Sequence, residues 1–115
     1  MAISLNKRAL SHAKDLVRKG KVVRDERDDW SEHAPSTADE NAFIKKNDYS
    51  EYSKWHLGVD DSKPEDTKAH FSFPYGDFRS VHRCAVISAE SRAGQYNHAD
   101  IEGALKQLLS GIDGT

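Results

Sequence analysis

The chain has 115 residues, 37% of them hydrophobic and 31% charged, with 17 Lys plus Arg against 19 Asp plus Glu for a formal net charge of -2. That length fits one small domain spanning residues 1–115, and the apolar content closes only a modest core, which weighs against a deep substrate cleft. Cys84 is the single cysteine, so an intrachain disulfide and a thiolate-rich zinc or iron-sulfur site are excluded.

In Leu5 to Lys19 the residues Ala9, Leu10, Ala13, Leu16 and Val17 recur at spacings of three and four, which predicts a helix with one stripe facing inward. Ser4 or Asn6 can cap its start, and Gly20 stops it. The run Lys21-Val22-Val23-Arg24 is short and β-branched, an edge strand or a packed turn. Residues 25 to 50 are acidic, interrupted by Pro35-Ser36-Thr37 and poor in apolar anchors, so this polar segment is expected to be the least ordered. Trp30 inside it reads as a staple fastening the loop to the core.

Trp55, Leu57 and Val59 alternate and predict a short half-buried strand, although Gly58 weakens it. Ser62, Pro64 and Glu65 have the pattern of a helix start, for a helix running only to about Ala69. Phe71 and Phe73 then point two rings to one face, and Pro74-Tyr75-Gly76-Asp77 turns the chain. Phe78 to Ala93 lacks Pro and Gly; Phe78, Val81, Ala85, Ala89 and Ala93 align in one stripe and predict a central helix ended by Gly94. Asn97 with Asp100 gives a cap for a last helix, where Ile101, Ala104, Leu105, Leu108, Leu109 and Ile112 form the strongest periodic signal. The linker between these two helices is short, so they should pack antiparallel. The expected fold is a small single α+β domain: three main helices, a C-terminal antiparallel helix pair and a few short extended segments.

The near-neutral total conceals an asymmetry. Residues 1 to 27 hold eight Lys or Arg against three acids, a surplus of +5, whereas residues 28 to 66 hold eleven acids against four lysines, a deficit of -7. A basic arm of this kind is either a nucleic-acid contact or a solvated helix face whose charges pair within the fold. The second is the commoner outcome.

No catalytic motif is present. The six histidines, His12, His33, His56, His70, His82 and His98, show no H-x-x-x-H pair and no zinc-finger spacing, so no metal ligands and no cofactor are expected. His82 and Cys84 lie two apart, and on a helix such residues face nearly opposite sides, which leaves Cys84 as a small core residue. No phosphate-binding glycine loop and no G-x-S-x-G occurs, so no enzymatic activity is expected. One constellation stands out: Arg79, His82 and Arg83 at i, i+3 and i+4 of the expected central helix, with Arg92, beside an aromatic turn that offers Trp55 and Tyr75 for stacking. These six residues are the candidate binding surface for a phosphate or carboxylate of a partner; the alternative, and the commoner outcome, is that Asp77 neutralises the helix N-terminus while Arg79 and Arg83 pair with the acids of residues 60 to 66.

The stretch Tyr52-Ser53-Lys54-Trp55-His56-Leu57-Gly58-Val59-Asp60, continued by Pro64 to Lys68, by Phe73-Pro74-Tyr75-Gly76-Asp77, by Arg92-Ala93-Gly94-Gln95 and by the helix from Ile101 to Leu109, resembles a family of small uncharacterised proteins encoded by phages and prophages. The resemblance covers roughly residues 50 to 112, and some relatives sit near head-assembly genes. It implies a structural or protein-interaction module with a phage structural protein as partner, cytoplasmic in a bacterial host or virion-associated; it carries over no catalytic residue. The alternative is a small nucleic-acid-binding protein using the basic N-terminal helix with Arg79, Arg83 and Arg92. No run of about 18 apolar residues and no leader-like N-terminus occurs, so no membrane partner is expected.

Overall fold

The computed structural model describes residues 3–25, Trp30 and 34–114. Their architecture is α+β. Chain order is β1 (Ile3–Leu5), α1 (Lys7–Arg18), β2 (Val22–Val23), α2 (Thr37–Ser53), β3 (His56–Asp60), a 3-10 turn (Lys68–His70), β4 (Phe71–Pro74), β5 (Val81–His82), α3 (Arg83–Gln95) and α4 (Ala99–Asp113). One sheet runs β1-β3-β4, antiparallel throughout, with Leu5 opposite Gly58 and Gly58 opposite Ser72. Strands β2 and β5 form a separate parallel pair, Val22 opposite Val81 and Val23 opposite His82.

Helix α1 starts where the sequence places it. Asn6 Oδ1 accepts from the Ala9 N–H, and the Asn6 amide donates to the carbonyls of Ser53 (2.9 Å) and His56 (3.1 Å), so one side chain ties the start of α1 to the end of α2 and the start of β3. Ala9, Ala13 and Leu16 turn inward while Lys7, Ser11, Lys14 and Arg18 stay exposed. Helix α3 begins at Arg83, five residues later than the apolar stripe suggests. Phe78 sits at φ +69°, in the left-handed region, and Val81 is extended, paired with Val22. Helix α4 begins at Ala99 with His98 at the cap position, and Asn97, at φ +61°, makes the linker rather than the cap. The pair is antiparallel: Arg83 at the start of α3 bonds Asp113 at the end of α4 at 2.8 Å, while Gly94 near the end of α3 abuts Glu102 near the start of α4. Ile101, Leu105, Leu108 and Ile112 are buried, each stabilising by about 1.5–3 kcal/mol.

One expectation is corrected, and one element appears that no periodicity announced. Much of the polar segment 25 to 50 is helical: α2 opens on a capping box between Ser36 and Asp39 and is kinked at Asp48 (φ +79°), whose Oδ1 then accepts from the Glu51 N–H and caps the second piece. The rest of that segment lies partly outside the described residues. The expected helix from Ser62 does not form beyond the 3-10 turn at Lys68–His70, because Ser62 bonds Asp60 instead of capping forward. Trp30 packs on the His82 ring at 5.6 Å.

At two glycines the backbone approach is close. A Cβ on Gly58 would lie 2.5 Å from Ser72 Oγ, and one on Gly76 would lie 2.4 Å from the Ser80 carbonyl oxygen and 2.8 Å from the Trp55 ring. Among the described residues no helix is long and apolar enough to cross a membrane.

Candidate functional site

The parallel pairing of β2 with β5 sets up a polar centre. With Val22 level with Val81 and Val23 level with His82, the next residues in register bring Asp25 level with Cys84. Asp25 Oδ1 accepts the Cys84 backbone N–H at 2.8 Å, in the first turn of α3, where a carboxylate complements the helix dipole. Its Oδ2 lies 2.7 Å from His82 Nδ1, and His82 Nε2 lies 2.9 Å from Asp77 Oδ2. The imidazole is thus held between two carboxylates. Side-chain exposure is 5% for Asp25 and 7% for His82, and Cys84 is 1% exposed. Burial opposes a charge on His82, but the hydrogen bonds to Asp77 and Asp25 outweigh it and raise the pKa above its ordinary 6.5. Asp77 responds in kind: burial pushes its pKa up, and its bonds to His82 and the Ser80 and Arg79 N–H groups bring it below 3.8. One donor atom each from Asp25, His82 and Cys84 lies within 4.8 Å of the other two. Carboxylate, imidazole and thiol are the donor types of a transition-metal site.

A second feature opens beside it. Phe43 of α2 and Phe78 stack with ring centroids 4.3 Å apart and planes 11° from parallel. They line an open cleft of about 610 Å³ together with Lys46, Arg79, Asp39 and Asp77. The acids are engaged within the fold, Asp39 in the capping box and Asp77 with His82 and two N–H groups. Among the described residues Lys46 and Arg79 make no side-chain ion pair or hydrogen bond. The available charge of the cleft is therefore positive.

The six residues singled out from sequence do not converge. Trp55 and Tyr75 lie in the core, stacked on each other at 5.6 Å; Tyr75 is fully buried, its hydroxyl donating to the Lys54 carbonyl at 2.5 Å and accepting from His12 Nδ1 at 2.8 Å. Burial pushes the Tyr75 pKa up, while burial and then the Lys54 charge lower that of His12. His82 is in the polar centre, Arg83 pairs with Asp113, and Arg79 projects at the cleft. Arg92 borders a separate cavity of about 230 Å³ with Trp30, Phe73 and Pro74. The expected shared face of Arg79, His82 and Arg83 is absent because the chain is helical only from Arg83 onward. That boundary also removes the premise that kept His82 and Cys84 apart, since His82 is extended at φ -103° and ψ 124°.

Sequence reasoning assigned no site role to Asp25, Phe43 or Lys46, and it placed Asp77 in the turn before the central helix without pairing it to His82. Comparison of the chain with protein-family models, with curated proteins and with solved structures finds no match in any of the three.

Proposed function

We propose that the protein is a non-enzymatic interaction module that receives an acidic segment of a partner protein in the Phe43–Phe78 cleft. The observation that carries this reading is the pairing of a preformed aromatic wall with two cations, Lys46 and Arg79, that make no ion pair among the described residues. Phe78 is held at φ +69°, a backbone conformation that costs about 1–3 kcal/mol for a non-glycine residue and orients the ring before any partner arrives. A preordered anchor reduces the entropy lost on binding. The resemblance to phage-encoded proteins supplies the setting, a structural protein of virion assembly as the partner.

The test places a photo-crosslinking residue at exposed Ala42, which lines the cleft, and identifies the crosslinked segment in the native host by mass spectrometry. An acidic protein segment whose crosslink disappears in the Lys46→Glu, Arg79→Glu double variant supports the reading. A crosslink that survives charge reversal, or a segment without acids, overturns it.

A second reading rests on a different face. Lys7, Lys14, Lys19 and Lys21 are exposed on or just beyond α1, and nucleic-acid phosphates would meet them first. If all four contact B-DNA phosphates, log K falls against log salt with a slope of about -3 to -4. A gel shift without retardation at low salt removes this reading.

A further inference from the structure

We propose that Asp25, His82 and Cys84 form a binding site for one thiophilic divalent ion of the zinc class, with Asp77 as the group that orients the histidine. Three observations carry it. The donor set is one carboxylate, one imidazole and one thiol, from residues brought together by the β2–β5 register, and the donor atoms lie within 4.8 Å of one another. Zinc bond lengths to such ligands imply donor separations of roughly 3.3–3.6 Å in a tetrahedron. The 2.7 Å between Asp25 Oδ2 and His82 Nδ1 has to open by less than about 1 Å to reach that spacing, and the Cys84 thiol lies no more than 4.8 Å from either.

The surrounding contacts match what such a site needs. A metal-bound histidine commonly donates its second ring N–H to a carboxylate, which fixes the tautomer and aims the ligand nitrogen. Here Nδ1 faces Asp25 and the prospective ligands, while Nε2 faces Asp77 at 2.9 Å. Asp25 is already aimed by the Cys84 N–H at 2.8 Å. Cys84 lies in the first turn of α3, where the helix dipole favours a thiolate. Spacing rules look for ligand pairs along one segment, and this set escapes them because Asp25 joins from 57 residues away.

Binding is a proton exchange. The ion takes the Cys84 thiol as thiolate, releasing one proton, and displaces the proton held between His82 Nδ1 and Asp25; the proton on Nε2, which lies 2.9 Å from Asp77 Oδ2, stays in place. Three protein ligands leave a fourth position for water or a partner's side chain.

The test uses the untagged, chelator-treated full chain and Zn²⁺ or Co²⁺ alone. The expected result is one equivalent bound, with a near-ultraviolet thiolate-to-cobalt charge-transfer band and visible absorption of tetrahedral intensity. Cys84→Ser should lose the band, and Asp77→Asn should weaken binding by about 10- to 100-fold. His98→Gln, outside the site, should bind as the natural chain does. Should Cys84→Ser fail to fold, the band in the natural chain still decides the matter. No binding, binding without the thiolate band, or a weakening by His98→Gln that Asp77→Asn does not produce overturns the proposal.

Discussion

Two histidines of this chain expose little surface to water and have pKa values shifted in opposite directions. His56 lies in the aromatic layer between α2 and β4, its ring 4.4 Å from that of Tyr52 and 6.1 Å from that of Phe71, with Nδ1 donating to the Tyr52 carbonyl. Burial there pushes its pKa down to about 4. His82 lies at the β2–β5 junction between Asp25 and Asp77, and its pKa rises. Burial by itself makes an imidazole neutral; two carboxylates within hydrogen-bond reach reverse the sign. The first region is held by contact area and the second by directed polar contacts, and substitutions should separate them.

The largest expected effect is at the polar junction. Asp25→Ala leaves a buried imidazole without one carboxylate and the Cys84 N–H without its acceptor, a loss of about 3–5 kcal/mol by denaturant unfolding. A loss under about 1 kcal/mol would mean that the junction contributes little to stability. Next is the aromatic layer. The folded-state pKa of His56 lies below its unfolded value of 6.5, so its contribution is intact above pH 6.5 and is lost as pH falls toward 4, by about 3 kcal/mol. His56→Gln should flatten that stretch of the stability curve, and an unchanged slope would assign the acid sensitivity elsewhere.

Close approach gives a smaller effect. Gly76→Ala drives a methyl group into the Ser80 carbonyl and the Trp55 ring, costing about 1–3 kcal/mol. Gly58→Ala should cost less, because Ser72 Oγ can rotate away; the two thermal midpoints give the order. The smallest effect is the pH dependence of His82 in the metal-free chain. Its raised pKa makes the contribution complete below pH 6.5 and lets it fade as pH rises through the folded value. Stability should therefore decline on the alkaline side in the natural chain and not in His82→Gln.

Legibility from sequence follows the same division. The α4 stripe from Ile101 to Ile112 was readable because burial along one helix face writes itself as spacing, and the Asn6 cap because its partner is three residues away. Helix α2 was not, since Tyr52 is its one buried residue and no apolar stripe marks it. The start of α3 was misplaced because Phe78 and Val81 match helical spacing while serving as a left-handed turn and a strand. Neither the Asp25 centre nor the Phe43–Phe78 wall leaves a local pattern. Both depend on which distant segments pair, and a two-residue strand specifies its register only through its neighbours.

The side chain of Asn6 both gives and receives: its oxygen takes the Ala9 N–H while its nitrogen reaches two carbonyls on other elements. An aspartate there would satisfy every rule for starting a helix and still set an oxygen against two oxygens. Deamidation at this position, a change of one heavy atom, should thus leave the first helix wound and packed through Ala9, Ala13 and Leu16, yet without its polar tie to the end of α2 and the start of β3.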